Sequence, residues 1–480
     1  MGDISRVYSN LISLGKYLRI FFLSAAALAA ADGPAPRYLA FQIFTGGTYS
    51  HELGMNFPPP PQDLGKTVAG LRDKIGGVGS EVTRLGFVVG PLSFDQTDDQ
   101  LRAAIASAFD VALETGVAVG FHVDDSMFWG RMKELNAIEN IEWLDWNKTP
   151  NTGRELDWSA TPKKIMPQLC VNSEAVKRAV SKRAALIGYE VSKGIAKLGA
   201  ARRSELFLGV IAGWETQIGS DFDTGKYPGY CALTNAGFSA EKPPADVDVA
   251  LSGIVHDFVR LWASSLVKSG VPNGKVYSHI AFRSAATYKP SAVPYLRLIH
   301  WTPPAVAFCD SCVAGFSTYP QPGHLTQWNV ELQKHGNPPW ASCEGTAADP
   351  GDVERSGGGA DMEGYLGNLF NHGAVLVNVF GWGIGDSTNP FRRIAESDKA
   401  LAAYRKFLGG ETLKEAPQSS PTAGLPGKIQ KIQAILPSWV EAHGPTDVKP
   451  LMEKLNAAIK AKRFDDADRL ADEVLALIGK

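Results

Sequence analysis

Two glutamates carry the first chemical signal in this chain. Glu215 follows an apolar run in Gly213-Trp214-Glu215-Thr216, and Glu344 follows another in Ser342-Cys343-Glu344-Gly345. A carboxylate that closes an apolar strand is costly to bury unless it has partners or a task. Two such groups brought face to face are the equipment for glycosidic cleavage, in which one protonates the leaving oxygen and the other attacks the anomeric carbon. A third run ends in Phe380-Gly381-Trp382-Gly383 and offers an aromatic ring at a comparable place. The plain alternative for either glutamate is an ordinary ion pair near a strand end.

A second cluster reads Phe121-His122-Val123-Asp124-Asp125-Ser126-Met127-Phe128-Trp129. Its adjacent acids could bracket sugar hydroxyls, form a structural salt bridge or cap, or join His122 as metal ligands through the H-x-D spacing. No H-x-H ends the first apolar run and no H-x-x-x-H follows, so a bound metal is not expected. Trp129, Trp143, Trp146 and Trp158 crowd the segment that follows, where they could stack on pyranose faces or pin a long loop. Trp214, Gln217 and the polar stretch after Glu215 form a second candidate wall.

These residues need elements to position them. Apolar runs at 38–44, 85–89, 117–122, 206–212, 276–281, 313–317, 339–343 and 374–380 show little alternation, the pattern of strands buried on both faces. Helical segments are expected at 63–75, 98–114, 173–198, 247–269, 324–335, 361–371 and 390–407, with Thr97 as a cap for the second. Eight runs with intervening helices predict a (β/α)8 barrel over residues 37–410. An open doubly wound sheet is the competing architecture, but no G-x-G-x-x-G follows the first run and no G-x-x-x-x-G-K-[ST] occurs. A Pro/Ser/Gly-rich linker is expected over 411–427 and a helical hairpin extension over 428–480, its apolar stripe broken at Arg463-Phe464.

Composition narrows the partners. With 48 Lys+Arg against 50 Asp+Glu and a formal charge of -2, nothing favours nucleic acid or a polybasic membrane contact. Lys16 and Arg19, the apolar run 20–28 and small residues at Ala27, Ala29 and Ala31 have the layout of a secretory signal over residues 1–31. That run is shorter than the ~20 residues a membrane span needs. A secreted or periplasmic protein without a membrane span after signal removal is therefore expected. The 5 Cys are too few for a disulfide scaffold, and Cys309-Asp-Ser-Cys312 lacks the second pair a zinc site requires.

Over residues 37–410 the chain resembles the clan of retaining glycoside hydrolases built on a (β/α)8 barrel, which carry the acid/base Glu after strand 4 and the nucleophile Glu after strand 7. The resemblance implies Glu215 as acid/base and Glu344 as nucleophile. It also implies Trp382 as the aromatic that stacks on the sugar, and Tyr319, in Phe316-Ser317-Thr318-Tyr319-Pro320, as the residue that bonds the nucleophile. Many members place Asn immediately before the acid/base, whereas this chain has Trp214. The expected activity is hydrolysis of β-glycosidic bonds in a poly- or oligosaccharide by double displacement, without a cofactor. His122, Asp124, Asp125, Trp129, Trp214 and Gln217 are expected to contact substrate. The competing functions are a metal-dependent carbohydrate hydrolase or deacetylase using His122, Asp124 and Asp125, and a barrel that binds carbohydrate without turning it over.

Overall fold

A computed structural model of the chain describes residues 36–44, 63–156, 163–281, 302–320, 324–348, 360–416, 425–461 and 463–478. The expected export signal, Trp158 and residues 417–424 of the expected linker lie outside them. Eight parallel strands form one sheet: β1 (Arg37–Phe44), β2 (Thr83–Leu92), β3 (Ala118–Val123), β4 (Phe207–Ala212), β5 (Val276–Ser278), β6 (Gly315–Ser317), β7 (Trp340–Gly345) and β8 (Ala374–Val379). Each pairs with its sequence neighbour, β8 returns to β1, and parallel bridges Tyr277 to Val313 and Ile280 to Phe316 join β5 to β6. The sheet thus closes into the (β/α)8 barrel that the unalternating apolar runs predict.

Outside the strands lie α1 (Leu64–Ile75), α2 (Asp98–Thr115), α3 (Glu174–Ala200), α4 (Val247–Lys268), α5 (His324–Lys334), α6 (Met362–Phe370) and α7 (Asp398–Leu408). Their starts are set by local chemistry. Asp63, Ser173 and Asp246 cap α1, α3 and α4 through their side chains. Thr97 and Gln100 form a reciprocal capping box that satisfies two otherwise orphaned N–H groups at the start of α2.

Two apolar layers hold the barrel together. Val377 and Val379 of β8 face the helices in the outer core, while Leu376 joins Tyr38, Ala40, Val88, Ala118, Leu208, Tyr277 and Cys343 inside. The inner phenols are satisfied: Tyr38 donates to the Glu205 carbonyl at 3.0 Å and Tyr277 to the Leu208 carbonyl at 2.8 Å. Gly209 lets the Tyr277 ring close over β4; its φ is 140° and a Cβ there would come within 2.4 Å of that ring.

The C-terminal extension differs from a hairpin. The stretch after 448 forms two helices, so the extension has three, α8 (Leu425–His443), α9 (Lys449–Lys460) and α10 (Phe464–Ile478). They share a core of their own built from Ile432, Leu455, Ala458, Leu470, Ala471 and Val474. The expected linker also starts late, because residues 411–416 lie on α6: Lys414 N–H donates to Glu363, Ala416 N–H donates to the Gly364 carbonyl, and Leu413 is buried. Gly367 makes this approach possible, since a Cβ would sit 2.1 Å from the Lys414 oxygen.

Cys309 and Cys312 form a disulfide, and Cys170, Cys231 and Cys343 are buried thiols. Among the described residues no helix is long and apolar enough to cross a membrane.

Glu142, in the segment after β3, is fully buried, and burial pushes its carboxyl up to about 8. The folded state therefore holds a proton that the unfolded chain releases near pH 4.5, and its stabilising effect fades as pH rises from there toward 8. Glu142→Gln should remove that slope. Urea midpoints at pH 5 and pH 8 should show the variant gaining on the parent by about 1 kcal/mol per pH unit; parallel pH curves would refute a buried protonated Glu142.

Candidate active site

The site lies where the strands end. β4 gives way to Gly213, which has φ 123°, and then to Trp214 and Glu215. Glu215 itself sits in the left-handed region at φ 54°, a conformation that costs a side-chain-bearing residue on the order of 1 kcal/mol and persists only where surroundings over-determine it. Here they do. Gly213 N–H donates to the Val123 carbonyl at 3.2 Å, Thr216 N–H donates to the His279 carbonyl at 3.1 Å, and Glu215 N–H donates to His279 Nδ1 at 3.3 Å.

Glu344 reaches the same mouth from β7. Ser317 of β6 stands in register with Glu344, and the segment Ser317-Thr318-Tyr319 ties both carboxylates down. Ser317 Oγ donates to Glu215 Oε1 at 2.5 Å, and the Tyr319 hydroxyl donates to Glu344 Oε1 at 2.8 Å. Burial, then the charge of Glu344 and then that of Glu215, hold the Tyr319 phenol well above its ordinary range, so it stays a donor. Thr318, between them, is pinned by the Ser342 and Tyr365 hydroxyls at 2.6 and 2.7 Å.

Beneath Glu215 lies a layer of neutral polar groups. His122 Nε2 is 3.0 Å from both the Gly213 carbonyl and His279 Nδ1, its Nδ1 pairs with Gln42 at 2.9 Å, and His279 Nε2 meets Ser317 Oγ at 2.8 Å. Burial holds the His122 ring well below the usual imidazole range and pulls His279 down to about 3. Trp214 lies flat on His122, ring centroids 4.0 Å apart at 2°. Above it, Phe44, Met127, Phe128, Tyr319 and Phe380 complete an apolar collar.

Several residues expected to contact substrate make contacts with protein. Trp382 follows Gly381, whose φ of 113° turns the chain outward; its ring packs on Phe41 at 5.0 Å with Lys74 Nζ above it at 5.2 Å, on the helix side of the barrel. The aromatic that the end of β8 sends into the collar is Phe380. Trp129 is wholly buried in the outer core and donates to the Pro167 carbonyl, so it pins its loop. Trp143 does likewise through the Ile138 carbonyl.

The two aspartates are engaged with protein. Asp124 accepts from the N–H groups of Ser126, Met127 and Phe128, capping its own turn; burial, and then Asp125, push it up to about 7. Asp125 accepts from Thr216 and Ser126, and burial raises it too, against Thr216 and the nearby Arg154. His122 lies under Trp214 with both nitrogens paired, and Gln217 is nearly buried beyond Glu215. Among the described residues no three His, Cys, Asp or Glu side chains gather to hold a metal, and Asp124 of the H-x-D spacing spends its oxygens on backbone N–H groups. Sequence reasoning missed His279 and Ser317. Both stand in apolar runs as polar residues, which was the available signal.

No protein-family model matches the chain, and no curated protein matches it. Among solved structures it is similar to a β-galactosidase from the psychrophilic Marinomonas ef1 (9% identity, 77% of this chain and 59% of that one, TM-score 0.47). An exo-β-1,4-mannosidase from Opitutaceae bacterium strain TAV5 is 12% identical over 80% of this chain and 61% of its own, with a TM-score of 0.40. A Bacteroidetes-affiliated family 5 cellulase is 12% identical over 80% of this chain and 99% of its own, with a TM-score of 0.37. The chain spans about three fifths of the length of the first two. Similarities this distant do not assign an activity.

Because Trp382 packs between Phe41 and Lys74, Trp382→Ala should cost about 1–2 kcal/mol of stability in urea unfolding. It should leave KM for an accepted substrate within twofold. A tenfold rise in KM with unchanged stability would put the ring back in the substrate site.

Proposed function

We propose that this chain is an exported glycoside hydrolase that cleaves β-glycosidic bonds of a poly- or oligosaccharide by double displacement with retention. The observation that carries the reading is that Ser317-Thr318-Tyr319 holds both carboxylates at once, through Ser317 to Glu215 and Tyr319 to Glu344. In the first step Glu215 gives its proton to the leaving oxygen as the bond from C1 to that oxygen breaks, and a Glu344 oxygen bonds to C1. In the second, Glu215 takes a proton from water, the water oxygen attacks C1, and the ester bond breaks to restore the Glu344 carboxylate. Tyr319 keeps Glu344 oriented, and the collar of Phe44, Trp214 and Phe380 keeps the mouth dry, so charge developing on the sugar is poorly screened by water.

Support for export is the layout of residues 1–31, and a near-zero net charge suits a neutral glycan.

Glu344→Gln should lower kcat by on the order of 1,000-fold or more with an unchanged melting temperature. Proton NMR of early product from a panel of β-linked glycans should show the β-anomer first; the α-anomer would mean inversion. Glu215→Gln should lose activity on glycans yet still release a burst of about one dinitrophenolate per enzyme from 2,4-dinitrophenyl glycosides, whose leaving group needs no proton, before stalling at the ester. N-terminal sequencing of protein recovered outside the cytoplasm should begin at residues 30–32.

A further inference from the structure

His279 reaches Glu215 directly and through Ser317. Its Nδ1 receives the Glu215 backbone N–H at 3.3 Å, and its Nε2 meets Ser317 Oγ at 2.8 Å, which in turn lies 2.5 Å from Glu215 Oε1. The direction of every hydrogen in this loop can be worked out. A backbone N–H can only donate, so Nδ1 is the acceptor nitrogen of His279. A neutral imidazole has one N–H, which must then be on Nε2 and point at Ser317. With its lone pair taken by His279, Ser317 turns its own hydrogen to Glu215 Oε1.

We propose that His279 is a positioning residue for the acid/base. It clamps the left-handed backbone of Glu215 and, through Ser317, locks Oε1 as a permanent acceptor, so that the exchangeable proton resides on Oε2. This role rests on the reading of Glu215 as acid/base. Among the described residues, the groups around Glu215 are Ser317 of β6, Tyr319 just beyond it, and His279 beyond β5, with Glu344 of β7 bonded to the same Tyr319; Asp125, with Arg154 behind it, is reached through neighbouring Thr216. Neither His279 nor His122 titrates near neutral pH, since burial keeps both rings uncharged. The polarity of the chain therefore holds across the working range.

A fixed donor favours the carboxylate over the carboxylic acid. Removing it should let Glu215 hold its proton to higher pH. Carbon-13 NMR titration of the full chain labelled at glutamate carboxyls, with the Glu215 signal assigned by its loss in Glu215→Gln, reads this without any substrate. Ser317→Ala should raise the Glu215 midpoint by about one pH unit, and Ser317→Thr, which keeps the hydroxyl, should restore it. His279→Ala should raise it as well and, on any accepted aryl glycoside, lower kcat on the order of 100-fold with little change in KM. An unmoved midpoint in Ser317→Ala, or the same rise in Ser317→Thr, overturns the inference. If the midpoints move as stated while the parent hydrolyses nothing in the glycan panel, the proton assignment stands and the catalytic reading falls.

Discussion

The structure depends on one constraint: an ionisable group at the apolar mouth of a barrel must be bonded by the protein or it will not stay charged and oriented. Ser317-Thr318-Tyr319 meets that constraint for two carboxylates from different strands. It can do so because β6 lies between β5 and β7, so a serine at its end reaches across to Glu215 while the tyrosine two residues later reaches Glu344. Thr318, whose hydroxyl is pinned by Ser342 and Tyr365, fixes the spacing between the two bonds.

The interior is graded along the barrel axis. Tyr38, Leu208, Tyr277 and Leu376 form an apolar floor, and the polar layer of Gln42, His122, His279 and Asn378 stands above it. The collar of Phe44, Trp214, Tyr319 and Phe380 comes last. Uncharged imidazoles suit the middle position, since they offer directional donors and acceptors without the desolvation cost of a charge. The flat contact of Trp214 on His122 seals that layer from above. A tryptophan before the acid/base position thus has a structural task.

The long segments after β3 and β4 are fastened to each other by buried carboxylates. Asp221 gathers the Asn151 amide, the Thr152 N–H and hydroxyl, and the Thr224 N–H and hydroxyl, joining the two loops that wall the mouth. Asp124 caps the turn where the first of them begins. Most of the acids and tryptophans that crowd these segments serve the rigidity of the walls.

The order of elements was legible in the chain because strands buried on both faces must be apolar throughout, and helices announce themselves by caps such as Thr97 with Gln100. The placement of Glu215 and Glu344 at strand ends followed from the same runs. Side-chain direction beyond a strand end did not, because a single left-handed glycine decides it: Gly381 sends Trp382 outward, and Phe380 is left to face the collar. Nor could sequence separate a carboxylate that caps its own turn, as Asp124 does, from one held for chemistry, since both are acids after an apolar run. The pairings of His279 with Ser317 and Ser317 with Glu215 span 38 and 102 residues, and only closure of the barrel brings such partners within hydrogen-bond reach. The sequence by itself determined which residues end the strands; the tertiary structure decided which of them meet, because hydrogen bonds depend on angles and distances that no spacing along the chain encodes.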